Sequence, residues 1–347
     1  MRSVIDAKAL HIHGHDGILN LLHTASRGGG LAHAYVLVGP PHVGKMTVAL
    51  HLAQLVNCED PDPGPCLTCR QCTRIASGHH ADVQVTGLPS TEDGGLGTQI
   101  RIEQVREIRK QASLRPYEGR TRVFILEDAA LLTTEAANSL LKYLEEPPPN
   151  VLLVLLTPDE DALLPTVLSR CQRLELRPMP RAALGQVLTA DYGVDEEQAT
   201  LIARLSGGCP GWAISAARDE SVLEARISAI DEQISLVEAD LGARFRFAGS
   251  LGGVFYRDRP RVRDILALCQ SWWMDLVLYA AGAPERTVNA HRSAQIEAQS
   301  RDIGVADAHA FLKDISRARD MLERNVTPRL ALEWLALRMP VVEQRAA

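Results

Sequence analysis

Four cysteines within a span of fifteen residues carry the clearest chemical signal in this sequence. Their spacing is Cys-x7-Cys-x2-Cys-x2-Cys, at Cys58, Cys66, Cys69 and Cys72. Four thiolates can complete a tetrahedral Zn²⁺ shell, and such a closed site is structural rather than catalytic. The segment is polar and rich in proline, so a bound metal would supply order that a small core cannot. The spacing therefore predicts structural zinc. An iron–sulfur cluster also uses four cysteines, but nothing else in the sequence indicates redox chemistry.

A second motif is a degenerate phosphate-binding loop. The stretch from Gly39 to Met46 reads Gly-Pro-Pro-His-Val-Gly-Lys-Met and nearly matches G-x-x-x-x-G-K-[ST]. Gly39 and Gly44 would let backbone amides surround phosphates, and Lys45 would neutralise their charge. The usual Mg²⁺ hydroxyl is replaced by the Met46 thioether, a poor ligand for a hard cation, and Thr47 lies one position too late. We favour a loop that shapes the fold over one that hydrolyses ATP with Mg²⁺, and both interpretations stay open.

The acidic residues that such a site needs are also out of order. A nucleotide-hydrolysing site usually places an aspartate at the end of a strand, and often follows it with a glutamate that activates water. Here Glu127 precedes Asp128. The exchange changes the length of each side chain by one methylene. A displacement of this size is large for carboxylates that must position a water for in-line attack. In an active ATPase, the catalytic set would be Lys45, Glu127, Asp128 and Thr157.

Alternating strand and helix patterns in the first half of the chain must position these residues. Short apolar or β-branched runs predict strands, and apolar residues at helical spacing predict the helices between them. The predicted strands are 35–38, 83–85, 122–126, 151–156 and 173–176, and the predicted helices are 45–56, 101–113 and 133–146. The continuously apolar run 151–156 is typical of a strand buried on both faces. The alternation predicts an α/β fold with a doubly wound sheet.

Beyond residue 178 the strand patterns fade and helical patterns take over. The change predicts three domains: an α/β domain at 1–177 that contains the cysteine segment 58–72, a small helical domain at 178–221, and an all-helical domain at 222–347. Two adjacent tryptophans, Trp272 and Trp273, lie in the last domain, where we expect them to fill the core or an interface.

Composition excludes several classes of protein. The 347 residues are 46% apolar and 23% charged, which is enough to bury sizeable cores in two or three domains. A formal charge of −6 argues against a polycation that coats nucleic acid or an anionic membrane. The apolar runs fall far short of a membrane span, and the first residues lack the apolar core of a signal peptide. We therefore expect a soluble, cytoplasmic protein.

Together these features resemble the clamp-loader branch of the AAA+ ATPases in bacterial DNA polymerase III. The resemblance rests on four strings: Ala32-His33-Ala34-Tyr35 before the phosphate loop, the four-cysteine insertion after the following helix, the stretch Asn138 to Pro148, and Leu168-Ser169-Arg170-Cys171. It covers roughly the first 220 residues densely and the helical remainder loosely. It implies an AAA+ domain with a zinc-binding insertion, a helical lid and a helical oligomerisation collar.

Within this family, the departures are similar to a stator subunit rather than to the gamma/tau motor. The motor has an intact phosphate loop, an Asp-Glu pair and a nucleotide-touching arginine, at whose place this chain has Gly211. The length and the tryptophan pair are also similar to the stator. The resemblance then implies a structural member of the DNA polymerase III hetero-oligomer that hydrolyses no ATP itself. Its partners would be the gamma/tau and delta subunits, the sliding clamp and primer–template DNA.

Two other functions stay open on the sequence alone. One is an active, gamma/tau-like clamp-loader ATPase whose Mg²⁺ site tolerates Met46. The other is a metal-dependent AAA+ protein of signalling or repair that is unrelated to replication.

Arg170, in the string Ser169-Arg170-Cys171, gains its meaning from the resemblance. On spacing alone, a surface arginine in a loop between elements would be favoured. In the family, the matching arginine is a finger inserted into the ATP site of the neighbouring subunit, where a guanidinium spreads over charge that builds on the γ-phosphate. The resemblance therefore implies that Arg170 acts in trans.

Overall fold

A computed structural model describes residues 11–89, 97–324 and 326–341. The chain divides into two compact units. Unit 1 comprises the described residues of Met1–Pro89, Gly97–Val187 and Gly208–Trp212. Unit 2 comprises those of Leu188–Gly207 and Ala213–Ala347.

Unit 1 is built around a five-stranded sheet in which every neighbouring pair is parallel. The strands are β1 (Ala34–Val38), β2 (Val83–Thr86), β3 (Arg122–Leu126), β4 (Val151–Thr157) and β5 (Gln172–Glu175). Their spatial order is β2-β3-β4-β1-β5. The α/β class and the parallel sheet predicted from the sequence are confirmed, because each predicted strand forms within two residues of its expected position.

Successive side chains of the strands point to opposite faces of the sheet and divide the core of unit 1 into two apolar layers. On β1, Leu37 belongs to one layer and Val36 to the other. On β3, Ile125 and Phe124 divide in the same way. Both faces are buried, which explains why the strands read as continuous apolar runs rather than as alternating ones.

The helices of unit 1 cover this sheet. They are α1 (Asp16–Arg27), α2 (Lys45–Asn57), α3 (Arg70–Ala76), α4 (Ile102–Ala112), α5 (Thr134–Glu145), α6 (Pro165–Leu168) and the first part of α7 (Arg181–Tyr192). The Thr133 hydroxyl accepts the Ala136 N–H at 3.2 Å and caps the start of α5, which ends just before three prolines. The sequence patterns did not predict α1 or α3. The second begins inside the cysteine segment 58–72 and extends to Ala76.

Unit 2 consists of helices. They are α8 (Glu196–Leu205), α9 (Pro210–Arg218, which begins in unit 1), α10 (Glu220–Glu238), α11 (Leu241–Val254), α12 (Arg259–Ala280), α13 (Ser293–Asp302), α14 (Val305–Glu323) and α15 (Pro328–Arg338). Trp272 and Trp273 are fully buried in its core. The Trp272 indole donates to Gln299 at 2.9 Å, and Trp273 packs against Phe311 with 4.5 Å between ring centres. No helix in the described part of the chain is long and apolar enough to cross a bilayer.

Candidate functional site

The carboxyl ends of β1, β3 and β4 meet at one edge of the sheet, because these three parallel strands are neighbours. This edge brings together Gly39 after β1, Glu127 after β3 and Thr157 at the end of β4. The Gly39 N–H donates to the Thr157 carbonyl at 3.2 Å. A Cβ on Gly39 would lie 2.3 Å from the Leu176 carbonyl oxygen, so only glycine fits here. The predicted nucleotide-site residues are thus gathered at one edge.

Lys45 is turned back onto its own loop. Gly44 precedes it with a left-handed backbone (φ 109°), and α2 begins at Lys45. The Lys45 ammonium donates to the carbonyls of Gly39 at 2.6 Å and Pro40 at 2.8 Å. Burial lowers the pKa of Lys45 to about 8, an effect that the charges of Cys209 and Asp128 partly offset. A phosphate that entered this loop would have to replace both carbonyl contacts.

The other predicted nucleotide-site residues are also engaged in the fold. Met46 is half-buried against the apolar layer that contains Leu37, and Thr47 follows it on α2. Glu127 is exposed, with its carboxylate beside Gly87, while Asp128 is the acidic residue whose charge acts on Lys45. The buried Thr157 hydroxyl donates to the Asp159 carbonyl at 2.5 Å and accepts the Asp159 N–H at 3.2 Å.

Gly211 contacts the phosphate loop directly, which the sequence did not indicate. Its N–H donates to the His42 carbonyl at 2.8 Å. A Cβ at this position would lie 2.7 Å from the same oxygen, so the contact requires glycine. On the other side of the loop, the buried His15 ring donates from Nε2 to the Val43 carbonyl at 2.8 Å. In the sequence, Gly211 belongs to the glycine-rich string Gly207-Gly208-Cys209-Pro210-Gly211, which does not identify the residue that it contacts.

The four predicted cysteines form a cluster that can hold a metal ion. The Sγ atoms of Cys58, Cys66, Cys69 and Cys72 all lie within 4.8 Å of one another. A tetrahedral Zn²⁺ with Zn–S bonds of about 2.3 Å would place its sulfurs about 3.8 Å apart, so the cluster needs little adjustment. Each of three sulfurs accepts a backbone N–H, from Cys66, Cys69 and Cys72, at 3.2, 3.3 and 3.5 Å. Such donors stabilise thiolates, the form that binds metal.

The acidity of the thiols follows their surroundings. The backbone N–H groups of Cys69 and Thr68 lower the pKa of the partly exposed Cys66 thiol to about 6. Burial raises the pKa of Cys58 and of Cys72, which lie at the end of α2 and inside α3. A bound cation would lower the pKa of both thiols, because it favours the thiolate form. The donor set fits a soft or borderline divalent metal.

Arg170 lies at the opposite edge of the sheet from the phosphate loop. It follows α6 and precedes the amino end of β5. Its guanidinium donates to the Glu145 carboxylate at 2.7 Å and to the Thr166 carbonyl at 2.9 Å, and about a third of the side chain (35%) is exposed. The fold therefore does not bring Arg170 together with Lys45 of the same chain.

The chain is similar in sequence to known proteins. Residues 14–180 match the family model described as DNA polymerase III, delta subunit. The chain is 32% identical to DNA polymerase III subunit delta' of Bacillus subtilis over 214 residues, which is 61% of this chain and 62% of that protein. It is 36% identical to subunit delta' of Pseudomonas aeruginosa over 182 residues, 52% of this chain and 54% of that protein. The predicted resemblance is thereby confirmed.

A second kind of relative extends further along the chain. DNA polymerase III subunit gamma/tau of Mycobacterium tuberculosis is 27% identical over 354 aligned positions, which cover 94% of this chain and 60% of that protein. The chain thus spans between 54% and 62% of the length of these three relatives.

Proposed function

We propose that this chain is a clamp-loader subunit of the delta prime type, because residues 14–180 match the family model described as DNA polymerase III, delta subunit, and two delta' subunits are 32% and 36% identical to it. In this role it is a stator of the hetero-oligomer rather than its motor. Neighbouring gamma/tau subunits hydrolyse ATP, and with the delta subunit the assembly opens the sliding clamp and places it on primer–template DNA.

The observation that carries this proposal is the placement of Arg170. It lies at the edge of the sheet opposite to the phosphate loop, which supports a role outside the nucleotide site of its own chain. Its contact with Glu145 is partly exposed and therefore weak enough to exchange for a phosphate of a neighbour. A planar, always charged guanidinium suits this task better than an ammonium group.

The state of the chain's own phosphate loop supports a stator. Lys45 is bonded to loop carbonyls, Met46 offers no hydroxyl to Mg²⁺, and Gly211 contacts the loop where the family's motor has an arginine. Hydrolysis needs both stabilisation of charge on the phosphate and in-line positioning of the attacking water. Each of these three departures therefore lowers the rate of ATP hydrolysis expected at this site.

The domain boundaries predicted from the sequence form part of the proposal. Residues 1–177 would be the AAA+ domain, 178–221 the lid and 222–347 the oligomerisation collar. Helix α15 supports the last assignment. Leu330 (60% exposed), Trp334 and Leu337 (58% exposed) follow one another at helical spacing along α15. An apolar helix face of this kind is suited to contact a neighbouring subunit.

Zinc is the metal we assign to the four-cysteine cluster. A zinc ion that is bound by four protein ligands stabilises the fold and is not catalytic. Here Cys58 ends α2 and Cys69 caps α3, so the ion would tie these two helices together across the loop between them.

The alternative function is an active ATPase of the gamma/tau kind. It is favoured by the gamma/tau relative, which covers 94% of this chain, and by the retention of Lys45 with two carboxylates after β3. Turnover of ATP by the purified chain, alone and with its partners, separates the two. We expect no turnover from the chain alone, together with stable assembly with gamma/tau and delta subunits. Turnover that is lost on Lys45→Ala would support the motor, and failure to assemble would contradict both functions.

A further inference from the structure

The loop of residues 113–121, between α4 and β3, exposes two large apolar side chains within four residues. Leu114 is 59% exposed and Tyr117 is 85% exposed. Tyr117 is the most exposed of the large apolar side chains in the part of the chain that the structure describes. Arg115, between them, is exposed as well. Tyrosine and arginine are enriched at the energetic centres of protein interfaces, so the composition of this loop suits contact with a partner.

A buried carboxylate fixes the backbone of this loop. Asp82, whose side chain is fully buried, accepts the N–H groups of Tyr117, Glu118 and Gly119, each at 2.8 Å. Its other contact is the Arg122 guanidinium at 3.1 Å. Burial raises the pKa of Asp82, but the three N–H donors and Arg122 outweigh it and hold the pKa below its usual value. Three successive amides of the loop are thus bonded to one buried side chain outside it, which holds the loop in one conformation.

The four-cysteine module supplies the second set of anchors. We define the module as residues 57–74, from the end of α2 to α3. Asn57, directly before Cys58, accepts the N–H groups of Arg120 and Thr121 at 2.8 and 2.9 Å. Gln71, directly before Cys72, donates to the Glu118 carbonyl at 3.0 Å.

Ion pairs and close packing reinforce the same junction. Arg74 lies 3.3 Å from the Glu118 carboxylate, and Arg120 donates to the Glu59 carbonyl at 3.2 Å. A Cβ on Gly119 would lie 2.4 Å from the Asn57 side-chain oxygen, so the Gly119 backbone lies as close to the Asn57 side chain as glycine allows. The anchors flank metal-ligating cysteines on both sides, and displacement of Cys58 or Cys72 would move them.

The charge of the region indicates the chemistry of a partner. Between residues 101 and 122 there are seven basic and three acidic side chains, in a chain whose formal charge is −6. Arg106, Lys110, Arg115 and Arg120 are exposed. A rigid apolar pair inside a positive border complements an apolar pocket with carboxylates around it. Leu114 has no aromatic ring on which a base could stack. The pair of Leu114 and Tyr117 therefore favours a protein partner over a nucleic acid partner.

We propose that the 113–121 loop is a protein-docking surface whose shape is held by the four-cysteine module, and that it fits a protein pocket bordered by carboxylates. The inference rests on the proposed metal. The metal site would then have a function outside the module. The partner protein binds more strongly because the 113–121 loop is ordered before the partner arrives.

The first experiment measures amide hydrogen exchange in the whole chain, with zinc content determined on the same samples. In Cys69→Ser, we expect the amides of 117–121 to exchange at least about tenfold faster, while those of β4 keep their protection. In Asn57→Ala, we expect one zinc per chain and faster exchange at Arg120 and Thr121. Asn20→Ala, at an exposed position on α1, is the matched control. It should change neither the zinc content nor the exchange rates of residues 117–121. Unchanged protection of 117–121 in the zinc-free variant would overturn the coupling.

The second experiment tests docking in the reconstituted complex with DNA. A photo-crosslinking benzoylphenylalanine is placed at position 117, and at position 21 as a control, since Leu21 on α1 is also exposed (53%). We expect position 117 to crosslink to a protein segment that contains acidic residues, with a yield several-fold lower in Cys69→Ser. Crosslinks to DNA alone, or none above the control, would overturn the docking role. A chain that does not assemble at all would instead contradict the proposed function, while the exchange experiment still tests the loop.

Discussion

Arg170 and Lys45 lie at opposite edges of the same parallel sheet. Lys45 follows the loop at the carboxyl end of β1, and Arg170 precedes the amino end of β5, the strand that pairs with β1. Tyr35 is opposite Gln172 and Val38 is opposite Glu175 in that pairing, so the two strands run side by side. A four-residue strand is about 13 Å long. Arg170 and Lys45 therefore belong to opposite ends of this strand pair.

We predict that Arg170→Ala leaves the isolated chain folded and able to assemble, but lowers the ATPase of the complex stimulated by DNA and clamp. An arginine finger is worth about 10³- to 10⁵-fold in the best-studied GTPases, and we expect about two- to tenfold here because other subunits supply fingers at their own interfaces. Arg170→Lys should not restore the full rate, because lysine lacks the planar fork. The measurement is the ATPase rate at matched assembly.

Arg173→Ala is the control for this prediction. Arg173 lies three residues away, is exposed, and pairs with Glu160 and Glu175 on its own chain. We expect the complex that carries this change to hydrolyse ATP at the unmodified rate. An Arg170→Ala complex that also keeps the unmodified rate would show that Arg170 is only a surface residue.

We predict one zinc ion per chain in protein produced with sufficient zinc. Cys69→Ser should lose the ion and loosen residues 58–76, while the far-ultraviolet circular dichroism of the sheet and helices stays nearly unchanged. Cys171→Ala, outside the cluster, should keep the full zinc content. Elemental analysis of the three proteins is the measurement, and unmodified protein without zinc would contradict the prediction.

The isolated chain should show no measurable ATP hydrolysis. The physical reason is the combined absence of the Mg²⁺ hydroxyl at position 46 and of the arginine at position 211, with the carboxylates at 127 and 128 exchanged in length. Steady-state phosphate release is the measurement. Lys45→Ala serves as the control for contaminating ATPases, so activity that persists in this variant does not come from the chain. Activity that disappears with Lys45 would refute the prediction.

Gly211→Ala should destabilise unit 1 by about 1–3 kcal/mol, because the new Cβ would lie 2.7 Å from the His42 carbonyl and force the loop to shift. Gly185→Ala is the matched control. Gly185 lies inside α7 with no atom in the way of a Cβ, so alanine there should stabilise by about 0.5–1 kcal/mol. Opposite signs in chemical denaturation are expected. Equal effects would contradict the importance of the Gly211–His42 contact.

His51 should make unit 1 less stable below pH 6.5. Burial, reinforced by His23 at 2.9 Å, lowers the pKa of His51 from 6.5 to about 4. The unfolded chain therefore binds this proton more readily than the folded one. Stability is complete above pH 6.5 and falls as the pH drops towards 4, by up to about 3 kcal/mol.

The exchange rates of the slowest α2 amides, corrected for intrinsic rates, report this loss. His51→Gln should remove much of the pH dependence between 6.5 and 4. His309→Gln, an exposed position on α14, should leave it unchanged. A pH dependence that is the same in all three proteins would exclude His51 as its source.

The sequence by itself determined the features that depend on residues near one another in the chain. The cysteine spacing predicted a metal-binding group, because ligands separated by only two or seven intervening residues can converge whatever the rest of the fold does. The runs at 122–126 and 151–156 predicted buried strands, because a strand covered on both faces needs apolar residues throughout. Local strings also carried the resemblance to clamp-loader subunits, among them the four-cysteine insertion and Leu168-Ser169-Arg170-Cys171.

Only the tertiary structure decided the relationships between distant residues. The separation of Arg170 from Lys45 follows from strand order and direction, which no local pattern encodes. The contact of Gly211 with His42 joins residues far apart in the chain, and so do the bonds from Asp82 and Asn57 to the 113–121 loop. Each depends on one acceptor that meets a particular backbone N–H, and a sequence does not reveal which distant amide an acceptor will meet.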